Sequence, residues 1–214
     1  MKEDNSRILS FGGALVGDIV STLVPGGGLF SKLVDQHLAQ KTQEAVEIAL
    51  QELSRGNVEF DEEDAQPFVA VLLRYSKAAS EGAARRNLRL LMQIVVGLKR
   101  NKALREDAFR RWAGIVEHMT RDELMLVGQA IRLQGEIESG AVGEVERFWG
   151  LLLERMQEAG YSERETAAIA AAVSRSGLVI PVSAYGGLAY RASPWLSELY
   201  SLVDSQTFVS SEDE

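Results

Sequence analysis

The chain has 214 residues, 46% of them hydrophobic and 25% charged, enough apolar material for one sizeable core or for a main domain with a smaller one appended. It contains no cysteine, which excludes a disulfide framework, a thiolate metal site and a cysteine nucleophile, and suits a reducing cytoplasm. The formal charge of -8 is unevenly spread: residues 1–73 carry -7, 74–111 carry +8, 112–140 carry -3 and 141–214 carry -6.

The first element is the glycine-rich stretch FGGALVGDIVSTLVPGGGLF at 11–30. Gly12 and Gly17 have the separation of a phosphate loop, but Asp18 stands where that loop needs lysine, and its charge would repel the ligand. Asp18 also splits the apolar run, and Pro25 to Gly28 end it short of the roughly 20 residues that span a bilayer. The opening MKEDNSRILS mixes acids with bases and argues against a secretory peptide. The pattern predicts a helix over Ile8 to Val24 that turns at Pro25–Gly28 onto a second helix. Gly13 and Gly17, four apart, mark where another helix approaches closely. Packing in a soluble core and contact with a membrane surface both stay open for this hairpin, through Phe11, Gly13, Gly17, Asp18, Leu23 and Phe30.

From Leu29, LFSKLVDQHLAQKTQEAVEIALQELSRG reads as a helix ended by Gly56. The acidic loop EFDEED follows; its carboxylates suit the positive N-terminus of the next helix, and a divalent-metal site is the alternative, without the ligand alternation and glycine of a calcium loop. AQPFVAVLLRYSKAAS places Phe68, Leu72 and Tyr75 at helical spacing. In ARRNLRLLMQIVVGLKR one face carries Leu88, Leu91, Met92, Val95 and Leu98, and the other Arg86, Arg89, Gln93 and Arg100. LREDAFRRWAGIVEHMT and RDELMLVGQAIRLQ read as two helices, with Thr120 and Glu123 completing a capping box for the second. Gly135, Gly140 and Gly143 suggest a flexible junction, the best domain boundary on offer.

Beyond it, VERFWGLLLERMQEAG and SERETAAIAAAVSRSG are helices closed by Gly160 and Gly177, with Ser162 capping the second. LVIPVS and LAYRAS flank a glycine turn as a β-hairpin, with Pro181 favouring an edge strand, and a last helix starts at Pro194. The predicted fold is therefore mainly α, a multi-helix bundle with a small C-terminal winged-helix-like β-hairpin. Its parts are a glycine-rich helical hairpin (1–56), a bundle with a basic middle (57–135), a winged-helix-like module (144–204) and a mobile acidic tail (205–214).

Chemistry is sparse. His37 and His118 stand in no metal-ligand spacing, no GxSxG elbow is present, and the carboxylates of SERE and EVER have no identifiable partner. The expectation is a protein that is not an enzyme, with no cofactor, metal or small-molecule substrate. Arg85, Arg86, Arg89, Lys99, Arg100, Lys102 and Arg105, with Arg110 and Arg111, form the strongest charged feature. They suit a polyanion or an acidic partner, or else pair internally with Glu44, Glu47, Glu52 or the DEED acids; Tyr75 and Trp112 flank the cluster without interleaving it. The -6 of residues 141–214 points the wing toward protein contacts or a structural role in preference to DNA.

The order of these parts resembles the Abi-alpha family of bacterial proteins. The likeness lies in the helix AQPFVAVLLRYSKAA, the segment FRRWAGIVEHMTRDELMLVGQAI with its turn at Met119 to Leu124, and AAVSRSGLVIPVSAYGGLAYRASPWLSELYSLV with Gly-Leu-Val entering the hairpin ahead of Tyr190. It covers residues 60–204 in element order. Phe68 stands where that pattern has tryptophan, and RASPWLS replaces its Thr-x-x-Gly. The resemblance implies abortive-infection defence against phage and supplies no catalytic residue. The expectation is thus a non-enzymatic bacterial helical protein acting through protein or membrane contacts. The alternative is an interaction or scaffold module whose basic middle, 74–111, binds an acidic partner or nucleic acid. A protein partner or homo-oligomer is expected, in the cytoplasm or peripherally on a membrane.

Overall fold

The computed structural model describes residues 29–58, 64–141, 147–184 and 187–203. The predicted helix over 8–24 and its turn, the residues Phe11, Gly13, Gly17, Asp18 and Leu23, and the tail 205–214 lie outside the described residues; Phe30 is the second residue of the first helix. Among the described residues the chain is mainly helical, with eight helices and one antiparallel hairpin, as the periodicity predicts. It forms two compact units, one ending at His118 and the other beginning at Met119.

The first unit holds α1 (Leu29–Gly56), α2 (Ala65–Ser80), α3 (Arg85–Arg100) and α4 (Glu106–Val116). The stretch NLRLLMQIVVGL, 87–98, contains three polar side chains, too few for a broad solvated face, so α3 is buried there at every position but Arg89, and it touches the other three helices. Leu91, Met92, Ile94 and Val95 are buried, as are Val71, Leu72 and Tyr75 of α2, Ala45, Ile48 and Ala49 of α1, and Phe109 and Trp112 of α4, the helices that α3 touches. Each large apolar side chain removed from water in this way contributes about 1.5–3 kcal/mol. The predicted stripe Leu88, Leu91, Met92, Val95, Leu98 is buried, but Gln93 is not on a solvated face: it is 6% exposed, and Leu90 and Val96 are buried as well. Asp64 corrects a second expectation. It sits at the N-cap of α2 yet makes no side-chain cap bond; its carboxylate pairs with Lys99 of α3.

The second unit is built on α5 (Arg121–Glu138), against which α6 (Phe148–Glu158), α7 (Glu163–Ser174) and α8 (Pro194–Leu202) pack. Local chemistry sets the helix starts. Thr120 Oγ1 accepts from the Glu123 amide at 3.2 Å while Glu123 accepts from the Thr120 amide at 2.8 Å, and Ser162 with Glu165 repeats the box. Ser193 Oγ accepts from the amides of Trp195 and Leu196, and Pro194 fills the first helical position. The glycine junction is drawn differently from the sequence reading. Gly135 lies inside α5, where a Cβ would fall 2.7 Å from the Tyr200 ring, so its missing side chain lets α8 lie close; Gly140 ends the helix at φ +76°, and Gly143 is outside the described residues.

The hairpin pairs β1 (Val179–Ala184) with β2 (Gly187–Ala192), Val179 opposite Ala192 and Ala184 opposite Gly187. The Ser193 amide donates to the Leu178 carbonyl at 3.1 Å, which fixes the phase of the ladder. Bonded and non-bonded pairs alternate, so Pro181 opposite Tyr190 is a non-bonded pair, and the proline nitrogen faces away from β2. One face turns Val179 and Tyr190 inward, with the Tyr190 ring 5.0 Å from that of Trp149 on α6; the other carries Ile180, Val182, Ala189 and Arg191.

Gly177, between α7 and β1, has φ +79°, and a Cβ there would lie 2.8 Å from the Trp195 indole; Gly160, at φ +92°, has open space around it. Gly160→Ala is expected to cost about 1–2 kcal/mol from backbone conformation alone. Gly177→Ala should cost about 1–3 kcal/mol more, from overpacking. Urea denaturation checks this: the excess should vanish when Trp195→Ala is added to Gly177→Ala, and equal costs at the two glycines would refute the contact.

Candidate functional site

Two surfaces concentrate charge or apolar area, one in each unit. In the first, the basic segment is drawn into internal pairing. Arg85 reaches Glu44 of α1 at 2.9 Å, Arg89 Nε lies 3.5 Å from Glu52 of α1, and Lys99 pairs with Asp64. Arg100 donates to the Gly56 carbonyl at 3.3 Å, and Arg105 lies 3.4 Å from Asp107. Among the described residues, Arg86 and Lys102 form no ion pair. The sequence had left Glu44, Glu52 and the DEED acids open as internal partners, and three of the seven cations meet members of that set.

At the centre lies Glu52, 4% exposed. Its carboxylate accepts from Gln93 Nε2 at 3.2 Å and from Arg55 Nη1 at 3.3 Å, and Arg89 approaches within ion-pair reach but without hydrogen-bond geometry. Tyr75 belongs to the same region. Its hydroxyl donates to the Ala45 carbonyl at 2.9 Å, and burial, reinforced by the negative charge of Glu52 and opposed by Arg89, pushes its pKa far above the ordinary tyrosine range. Arg74 of α2 pairs with Glu117, just past α4, at 2.7 Å. This constellation ties helices together; Tyr75 and Trp112, 3% and 0% exposed, offer no face on which a nucleobase could stack.

A polyanion neutralised by Arg86 and Lys102 alone would show a salt slope of about -2, against the six to ten contacts of a committed nucleic-acid binder. Through His118 the chain carries 16 basic and 16 acidic residues, so the unit as a whole supplies no attractive field. Among the described residues no group of three or more His, Asp or Glu could hold a metal ion, and no helix is long and apolar enough to cross a membrane.

In the second unit the hairpin and the first turn of α8 expose apolar area. Ile180 is 37%, Leu188 58% and Trp195 42% exposed. Ile180 stands directly across from Arg191, and the Trp195 indole lies over Gly177, two residues beyond exposed Arg175. The sequence reading found the strands but missed this surface. The alternation around Val179 carried the signal for part of it: with Val179 inward, Ile180 and Val182 face out, while Leu188, opposite Ser183, lies on the Val179 side beyond the packed part of the hairpin. Comparison of the chain with protein-family models, curated proteins and solved structures gives no match.

The buried Tyr75 hydroxyl makes stability pH-dependent. Because its folded pKa is raised, its contribution is fully present below the unfolded value of about 10 and is lost as pH rises through the folded value. Above pH of about 10 the slope should approach about 1.4 kcal/mol per pH unit, and Tyr75→Phe should lack it. Urea midpoints measured across this range for both proteins check it; parallel declines would refute the assignment.

Proposed function

We propose that the chain is a non-enzymatic bacterial helical protein that works through protein contacts made by its C-terminal unit, in the phage-defence setting that the Abi-alpha resemblance implies. One observation carries the reading. Among the described residues four large apolar side chains are exposed, and three of them belong to the C-terminal unit: Ile180 on the outward face of the hairpin, Leu188 near its turn on the opposite face, and Trp195 in the first turn of α8; the fourth, Leu73, stands on α2. Single apolar residues are ordinary on a surface, but Ile180 continues into Val182 and Ala189 on one strand face, and contiguous apolar area marks a place of contact. The basic middle is the weaker alternative, since Glu44, Glu52 and Asp64 already engage Arg85, Arg89 and Lys99. Nucleic acid suits the C-terminal unit poorly too: from Met119 onward the chain has 7 basic and 15 acidic residues.

Phage plating on bacteria that express the chain tests both parts. The wild type and Leu73→Ser are expected to suppress plaques, and Ile180→Ser combined with Leu188→Ser to restore them to the level of cells lacking the protein, with circular dichroism confirming the fold. Identical plaque counts with and without the chain would remove the defence setting. Full protection by the double variant would remove the hairpin from the mechanism.

A further inference from the structure

We infer that the outward face of the hairpin, with the start of α8, docks an acidic segment of a partner protein that also carries apolar anchors. This rests on the contact role just proposed and names the chemistry of the partner. Ile180 and Arg191 face each other across the two strands, with Val182 and Ala189 next along the same face. Arg175, the C-cap of α7, lies two residues from Gly177, on which the exposed Trp195 indole rests. An apolar side chain thus pairs with an arginine across the strands, and a second exposed arginine stands two residues along the chain from the glycine that the exposed indole covers.

Both arginines are exposed, and among the described residues neither forms an ion pair, while Arg155 of the same unit is matched by Glu136. Residues 175–203 contain these two cations and a single acid, Glu198, in a unit where acids outnumber bases about two to one. This stretch is therefore locally cationic within an acidic unit, which favours a carboxylate beside Arg191 and Ile180. Guanidinium groups bind carboxylates through paired, charge-assisted hydrogen bonds, and Ile180 and Trp195 supply the apolar contact that fixes position. Two cations on an acidic unit make a weak phosphate binder, which favours a protein segment over a nucleic acid.

Fluorescence anisotropy on the full chain tests the inference, with a labelled peptide of alternating glutamate and leucine, its lysine–leucine counterpart and a single-stranded oligonucleotide as probes. The glutamate peptide is expected to bind, to weaken about tenfold in the combined variant Arg175→Gln, Arg191→Gln, and to weaken with Ile180→Ser. Equal binding of the lysine peptide overturns the charge preference. Binding of the oligonucleotide alone overturns the protein occupant. Concentration-dependent dimers in sedimentation that Ile180→Ser abolishes would make a second copy of the chain the occupant and likewise overturn it. If the glutamate peptide fails to bind while the Ile180→Ser, Leu188→Ser variant still loses phage protection, the acidic chemistry falls and the contact role stands; if protection also survives, both fall.

Discussion

A helix buried along most of its length must carry polar side chains into the core with it, and α3 does so at Asn87 and Gln93, with Arg89 half-buried beside them. Each has a destination: Asn87 Nδ2 donates to the Val116 carbonyl at 2.6 Å, Gln93 donates to Glu52, and Arg89 faces the same carboxylate. Removing one member of such a set leaves a buried charge or donor unmatched, at about 3–5 kcal/mol for an ion and about 1–3 kcal/mol for a neutral group. The position of α1 is tied to this requirement, because Glu52 and Glu44 must lie along α3. Glu44, Glu52 and Asp64 of the acidic block meet Arg85, Arg89 and Lys99 of the basic one, so part of the charge that looks like bait for a ligand joins segments of the fold.

What could be read in advance was what neighbours along the chain decide. The boxes at Thr120 and Ser162, the proline opening α8 and the glycines closing α6 and α7 act within a turn of their own position, and the helices begin and end near where those residues stand. Gln93, Gly135 and Asp64 were read differently because each takes its role from a residue 35 or more positions away: Glu52, Tyr200 and Lys99. Polarity sent Gln93 to the solvent, flexibility made Gly135 a joint, and charge made Asp64 a cap. In fact burial, close approach and pairing decided them. The division at His118 and Met119 has the same origin, since the apolar face of α5 is claimed by helices that follow it in the chain.

The two units treat their charges in opposite ways. In the first, opposite signs come in equal number along the chain, and Arg74, Arg85, Arg89 and Lys99 each meet an acid from another segment, which leaves less for an outside polyanion. In the second, acids dominate and the few cations near the hairpin stay unmatched among the described residues, beside apolar side chains that have not been withdrawn from water. The seven cations drew attention because charge is conspicuous in a sequence. The hairpin surface was inconspicuous because it depends on which of two strand faces turns outward, and packing against α6 and α7 makes that choice.

Pro181 gives that hairpin a direction. Its nitrogen points away from β2 and has no hydrogen to offer, so a strand arriving beside β1 would meet a gap in the ladder. Extension of the sheet is thereby confined to the β2 side. Should two copies ever join along β2, they would make a four-stranded sheet with a proline on each outer margin, a closed pair that cannot grow into a filament. One residue thus sets an upper limit on how many chains this sheet can recruit.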